Sequence, residues 1–96
     1  MVRIATLDFT ASDVTGQKRV TVRDVPLIAT VGEVIDDLLP RMHLEHLDRA
    51  GQPVHYDARL DREARHLYRS EVVGEALHPA DHLTMHPRVL AGGRTV

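Results

Sequence analysis

Cysteine is missing from this 96-residue sequence, and its absence excludes a whole class of chemistry. Without a thiol the chain cannot form disulfides, build a thiolate metal site or carry a thioester on itself. The absence also fits a reducing compartment, so we expect a cytoplasmic protein. The first fifteen residues contain no basic stretch followed by an apolar one, and no apolar run reaches the ~20 residues that span a membrane. We therefore expect neither a signal peptide nor a membrane partner.

Lysine and aromatic residues are scarce. Lys18 is the single lysine beside eleven arginines, and one phenylalanine and two tyrosines make up the aromatic side chains. The core is therefore expected to be aliphatic. The formal net charge is −2 with both signs interspersed, which is not the basic pattern of a nucleic-acid-binding protein. The length suits one domain with its own core.

The N-terminal part of the chain predicts a β-hairpin. Apolar and polar residues nearly alternate over residues 2–9, and a clean alternation returns over residues 18–25. Residues 11–17 between them are rich in turn formers, and Gly16 is the expected position of positive φ.

The clearest helix signal follows Pro26, which is expected to end the second strand. Thr30 and Glu33 have the spacing of a capping box, in which each residue satisfies a backbone N–H of the other. This predicts a helix over about residues 30–42, ending within a turn of Pro40. Its apolar stripe is expected to comprise Val31, Val34, Ile35, Leu38 and Met42.

The second half of the chain predicts short strands. Residues 53–58 form the first of them, the highly charged residues 57–66 are expected to cross the surface, and Leu67 and Tyr68 are a candidate fourth strand. Ser70 is expected to cap a single helical turn. A turn at residues 79–81 then leads into a last strand, with Leu83 and Met85 on its inner face.

The outer face of the last strand is expected to be polar and to carry histidines. It comprises His82, Thr84 and His86, with His55 beside them on the neighbouring strand. Beyond this strand the chain runs through Gly92 and Gly93 to Val96. Two consecutive glycines suit a segment that must stay mobile or enter a channel too narrow for a Cβ atom, although a merely frayed end would look the same.

These elements predict an α+β fold, with a mixed four- to five-stranded sheet packed on one main helix. The expected domain covers residues 1–88, and residues 89–96 form a flexible tail. The order of the elements resembles the β-grasp fold of ubiquitin-like proteins. The closest sequence cues resemble bacterial ubiquitin-like proteins of type VII secretion and of conjugation operons, and lie at 30–34 (TVGEV), 70–77 (SEVVGEAL) and 79–84 (PADHLT).

The resemblance implies a protein modifier whose reactive group is the carboxylate of Gly93, with Gly92 beside it. An activating enzyme would adenylate that carboxylate with ATP and magnesium, and cysteines of the activating and conjugating enzymes would carry the acyl group to a target amine. Because the chain continues past Gly93, a zinc-dependent, deubiquitinase-like peptidase would first cut between Gly93 and Arg94. Lys18 is the one lysine through which chains could form.

We expect the enzymes to bind the tail through Arg88, Val89, Leu90 and Ala91, with Arg88 and Leu90 as the anchors that offset the entropy lost when the tail is ordered. An arginine near the tail is a feature of ubiquitin recognition, but Arg88 is one position farther from the diglycine than the family pattern places it. The resemblance also shows a difference from ubiquitin, which presents an apolar patch on its open sheet face. The polar face expected here should not bind eukaryotic ubiquitin-binding domains.

Two other functions remain open. The chain could be a sulfur carrier with a Gly93 thiocarboxylate, although such carriers often end at the diglycine. It could also be a non-covalent interaction module, like the ubiquitin-like proteins of type VII secretion, with an incidental diglycine.

The seven histidines invite a metal-site interpretation, which the spacing argues against. His78, His82 and His86 would share a face on one helix, but Pro79 and Pro87 interrupt that helix. On a strand His82 and His86 are about 13 Å apart, too far to bind one ion. We therefore expect no bound metal or cofactor. With no credible catalytic triad or phosphate loop, we also expect that the chain is not an enzyme.

Overall fold

A computed structural model describes residues 5–44 and 47–88 of the chain. These residues form an α+β domain in which a mixed five-stranded sheet packs on one main helix. The elements in chain order are β1 (Thr6–Asp13), β2 (Arg19–Pro26), α1 (Val31–Arg41), β3 (His55–Leu60), β4 (Arg65–His66), α2 (Val73–Ala76) and β5 (His82–Arg88).

The sheet has the strand order β2-β1-β5-β3-β4, which places the first and last strands of the chain side by side at its centre. β1 and β5 are parallel, and every other neighbouring pair is antiparallel. The predicted mixed sheet is therefore confirmed. The expected domain limit at residue 88 stays a prediction, because the residues beyond it lie outside the described part.

The hairpin turn begins later than predicted. Ala11 and Ser12 were expected to belong to the turn, but both lie in β1 and are buried. Ala11 pairs with Val20 on one side and with Leu83 on the other, and this central position in the sheet outweighs the local turn preference. Gly16 has the predicted positive φ, at 77°.

The helix α1 forms as predicted, with both halves of its capping box. The Glu33 N–H donates to the Thr30 hydroxyl at 3.2 Å, and the Thr30 N–H donates to Oε1 of Glu33 at 2.9 Å. The helix ends at Arg41, one residue after Pro40. The predicted apolar stripe is buried against the sheet, and its members are Val31, Val34, Ile35, Leu38 and Met42.

The region between α1 and α2 differs most from the prediction. β3 starts and ends later than expected, because Ala58 and Leu60 continue its buried alternation through a stretch whose outer residues are charged. The fourth strand is Arg65–His66, and not Leu67 and Tyr68. Leu67 is buried just after this strand, whereas the Tyr68 side chain is 74% exposed.

The predicted Ser70 cap of α2 is wrong. The N-cap position is Val72, which makes no side-chain capping bond. The first N–H groups of α2 are instead satisfied by a neighbouring loop: Val73 donates to the Ala29 carbonyl at 2.8 Å, and Gly74 donates to the Leu27 carbonyl at 2.9 Å. The loop before α1 thus caps α2, a role that the sequence had assigned to the Ser70 side chain.

The N-terminus of α1 receives the reciprocal support. The Val31 N–H donates to the Glu71 carbonyl at 2.8 Å, and the Gly32 N–H donates to the Arg69 carbonyl at 3.0 Å. The two loops that precede the helices therefore cap each other's helix. Within residues 5–44 and 47–88, neither helix has the length and apolar character needed to cross a lipid bilayer.

Candidate functional site

Most of the predicted site lies outside the described residues. Gly92 and Gly93, the cleavage position at Arg94, and the tail residues Val89, Leu90 and Ala91 all follow the last described position. The structure does describe the strand from which this tail continues, together with Arg88 and Lys18.

β5 presents the tail from the centre of the sheet. Its pairing with β1 ends at the pair of Met85 with Asp13, whereas its pairing with β3 continues to the pair of Arg88 with His55. The last residues of β5 therefore extend past the partner on one side and stay bonded on the other. Leu83 and Met85 fix the strand in the core, since both are completely buried.

Arg88, the last described residue, is bound to Asp57 on the outer face of the sheet. The Arg88 guanidinium donates from Nε to Oδ2 of Asp57 at 3.1 Å and from Nη2 to Oδ1. Such a two-point contact fixes the plane of the guanidinium as well as its position. The hydrogen bonds from Arg88 to the Asp57 carboxylate raise the pKa of the arginine.

Two histidines border this ion pair. The rings of His66 and His86 lie with their centroids 5.3 Å apart, tilted by 49°. Nδ1 of His66 is 3.9 Å from Oδ2 of Asp57, so a protonated His66 would share that carboxylate with Arg88. We call Asp57, His66, His86 and Arg88 the strand-end cluster.

The rest of the outer face is polar, as predicted, and its side chains are hydrogen-bonded to one another. The ring nitrogens of His82 lie 2.6 Å from the Thr10 hydroxyl and 2.8 Å from the Ser12 hydroxyl, and Ser12 is 4% exposed. Thr84 donates to Asp61 at 3.0 Å. The expected placement of His55 and His86 on this same face is confirmed by their pairing register. The expected failure to bind eukaryotic ubiquitin-binding domains stays a prediction.

An ion pair between the exposed Arg62 and the buried Asp81 anchors the start of β5. Arg62 donates from Nε to Oδ1 of Asp81 at 2.9 Å and from Nη2 to Oδ2 at 3.2 Å, and the His78 N–H donates to Oδ2 at 2.8 Å. Burial raises the pKa of Asp81, but the hydrogen bonds from Arg62 and the His78 N–H outweigh it and leave that pKa below the ordinary value. β5 is thus held by an arginine–aspartate pair at each end.

Lys18, the predicted acceptor, lies just before β2 with its side chain exposed. Its Nζ donates to the His43 carbonyl at 2.8 Å, which ties the hairpin to the segment after α1. Acylation of Lys18 would require its amine to give up the hydrogen bond to the His43 carbonyl. The exposure is compatible with modification there.

A groove of about 230 Å³ lies between β2 and α1, on the edge of the sheet far from β5. Val22, Val25 and Val34 line it, and charged residues surround them. Arg41 donates to Asp37 at 3.3 Å and to the Thr21 carbonyl on β2 at 3.4 Å. Arg41 therefore occupies one of the acceptors along this edge strand.

Within the described ranges, no group of three or more histidine, aspartate or glutamate side chains is placed to hold a metal ion. His82 and His86 lie on strand β5 and not on a helix, as the alternation of Leu83 and Met85 predicted.

Sequence reasoning did not identify the partners of the two arginines that hold β5. Asp57 was assigned to a surface crossing, and Arg62 and Asp81 were not connected. Arg88 and Asp57 are 31 positions apart, and Arg62 and Asp81 are 19 apart. No local spacing rule detects pairs at such separations, although the many arginines in a nearly neutral chain indicate that such pairs exist.

No known protein-family model matches this chain, and no curated protein sequence matches it.

Proposed function

We propose that this chain is a ubiquitin-like protein modifier of β-grasp fold, made as a precursor that is cut after Gly93. One observation carries the proposal: β5, the central strand of the sheet, runs to Arg88, the last described residue, four positions before Gly92. A strand held in this way presents a short tail from a rigid body, as attachment of a modifier by its C-terminus requires.

The order of the elements supports the β-grasp assignment. A hairpin is followed by one main helix, and the chain then returns through β3 and β4 to place β5 beside β1. The parallel pairing of β1 with β5 requires a long crossover, and α1 lies within it. This order is consistent with the β-grasp arrangement that the sequence resemblance implied.

The proposed chemistry begins with hydrolysis of the peptide bond between Gly93 and Arg94, which frees the glycine carboxylate. That carboxylate attacks the α-phosphorus of magnesium-bound ATP in an activating enzyme, forming an acyl-adenylate and releasing pyrophosphate. The thiolate of the activating enzyme displaces AMP to give a thioester, and the thiolate of the conjugating enzyme then attacks that thioester and releases the first thiol. A target amine finally displaces the second thiol to form an amide. Because this chain has no cysteine, both thiols must belong to partner enzymes.

The carried acyl group ends on a target protein, and Lys18 is the lysine through which one copy would join another. The absence of cysteine suits a reducing compartment, so we place these steps in the cytoplasm. The polar outer face fits a modifier whose partner enzymes bind its tail. We propose neither a membrane nor a nucleic acid as a partner.

The test uses three versions of the chain in extract of the organism that encodes it, with magnesium and ATP. They are the full chain, a chain ending at Gly93, and the full chain with Gly93→Ala. We expect the chain ending at Gly93 to form a thiol-sensitive adduct and then a thiol-resistant one. The full chain should form the same two adducts, but only after it loses Arg94, Thr95 and Val96. The Gly93→Ala chain should form neither.

Mass spectrometry of the resistant adduct should place Gly93 on a lysine or an N-terminal amine. If the full chain keeps its last three residues and the chain ending at Gly93 forms no adduct, the modifier proposal is wrong. A sulfide adduct on Gly93, without a protein conjugate, would instead identify a sulfur carrier.

The groove between β2 and α1 favours a second candidate, the non-covalent interaction module. Its apolar floor and charged surround would suit a peptide segment with apolar and charged residues. In that case Gly93→Ala would leave function unchanged in the organism, while Asp37→Lys, at an exposed position of the groove, would abolish it without disturbing the core. The modifier proposal predicts that Gly93→Ala abolishes function.

A further inference from the structure

We propose that Asp57 is a positioning residue for the tail, because it holds the Arg88 guanidinium in the orientation in which the activating enzyme binds it. This inference rests on the proposed function and adds to it a residue 31 positions away from Arg88. No sequence cue near the diglycine points to Asp57.

The geometry of the contact carries the inference. Arginine has five N–H donors in a planar fork, and the contact with Asp57 uses two of them, on Nε and Nη2. Within residues 5–44 and 47–88, the other three have no recorded acceptor. A carboxylate or carbonyl of a partner can therefore bind the end of the guanidinium while Asp57 still holds its side.

Burial differs between the two partners in a way that suits this role. The Asp57 side chain is 23% exposed and the Arg88 side chain is 56% exposed. The carboxylate is mostly enclosed by the strand-end cluster, while the guanidinium stays accessible. An arginine already fixed in its plane loses less rotamer freedom when a partner binds, and the partner binds more tightly as a result.

Asp57 also fixes the last residue of β5 to β3. The register pairs Arg88 with His55, and the side-chain contact to Asp57 adds a second attachment at the same point. Removing that attachment should let the end of β5 open more often, since strand ends open locally at small free-energy cost.

The first test measures this attachment without any partner. Trypsin cleaves after arginine, and in the full chain it can cut after Arg88 and after Arg94. We expect Asp57→Asn to raise the rate of cleavage after Arg88, relative to cleavage after Arg94, by about threefold. Asp37→Asn is the control, because Asp37 forms an exposed ion pair with Arg41 at 3.3 Å on α1, away from β5. It should leave the ratio unchanged.

The second test asks whether the activating enzyme binds the Arg88 guanidinium in the orientation that Asp57 fixes. With chains ending at Gly93 in the same extract, we measure the rate of thiol-sensitive adduct formation against chain concentration. Asp57→Asn should raise the half-saturating concentration about threefold to fivefold with the same maximal rate, and Asp57→Glu should recover part of the loss. In an Arg88→Gln background, Asp57→Asn should add nothing.

The outcomes separate this inference from the proposed function. If no version forms an adduct, the proposed function fails, and the trypsin ratio still decides whether Asp57 holds Arg88. If adducts form but Asp57→Asn leaves both the ratio and the half-saturating concentration unchanged, the inference is wrong. A lower half-saturating concentration would also overturn it, since Asp57 would then compete with the enzyme for Arg88. An Asp57→Asn effect that persists in the Arg88→Gln background contradicts an action through Arg88.

Discussion

Gly74→Ala tests the reciprocal capping of the two helices, which is the least local feature of the fold. A Cβ atom added at Gly74 would lie 2.9 Å from Cβ of Leu27 and 3.0 Å from the Leu27 carbonyl oxygen. The carbonyl is backbone and cannot rotate away, and it also accepts the Gly74 N–H at 2.9 Å. Either the loop or α2 must move, and the capping bond is weakened when it does.

Two opposing effects determine how much Gly74→Ala changes the free energy of unfolding. Overpacking of this kind costs about 1–3 kcal/mol, while alanine in place of glycine within a helix gains roughly 0.5–1 kcal/mol. α2 has only four residues, so the gain should lie at the low end. We expect a net loss of about 0.5–2.5 kcal/mol in the free energy of unfolding, equivalent to roughly 2–20 °C in melting temperature for a domain of this size.

Urea unfolding followed by circular dichroism measures this change, with Glu75→Ala as the control in the same turn. Glu75 is exposed, so its replacement should change stability by less than about 0.5 kcal/mol. If Gly74→Ala is as stable as the natural protein or more stable, helix propensity outweighs the contact with Leu27. The account of how α2 is capped would then be wrong.

Two further predictions concern the start of α1 and the start of β5. Thr30→Ala removes the acceptor of the Glu33 N–H and should cost about 1 kcal/mol in urea unfolding, whereas Thr30→Ser should cost only a few tenths; equal stability of both would contradict the capping role. The lowered pKa of Asp81 stabilises the fold at pH above the ordinary aspartate value of 3.8, and that contribution is lost as the pH falls through the lower folded value. Asp81→Asn should therefore reduce stability at pH 7 and flatten the decline of stability below the ordinary aspartate pKa of 3.8. An unchanged acid profile would show that Arg62 does not hold this carboxylate.

The elements that the sequence predicted well have local signals. The α1 capping box lies within four residues, and the buried alternation of β5 is read from Leu83 and Met85 alone. The central sheet position of Ala11 depends on partners nine and 72 positions away, so its assignment to a turn could not be corrected locally.

The misread segment between Asp57 and Tyr68 has a specific cause. β3 has charged residues on its outer face, Asp57 and Arg59, and these concealed the buried alternation of Ala58 and Leu60. The same charges form the pairs that hold the outer face together. A chain that uses arginine–aspartate pairs in place of an apolar outer face looks like a surface loop when its sequence is read alone.

The candidate site stays a prediction for the residues after Arg88. The sequence identified the diglycine, the extension beyond it, and Arg88, because a terminal motif can be read without a fold. It did not identify Asp57, which reaches Arg88 only when β3 and β5 are paired. The Lys18 amine was found because it is the single lysine, and its bond to His43 required the structure.

The modifier proposal is tested most directly by the mass of the full-length chain after expression in the organism that encodes it. We predict loss of Arg94, Thr95 and Val96, together with peptides in which Gly93 is joined through an amide bond to a lysine or N-terminal amine of another protein. The Gly93→Ala chain should show neither change. A chain that keeps its full mass and forms no Gly93 linkage would contradict the account.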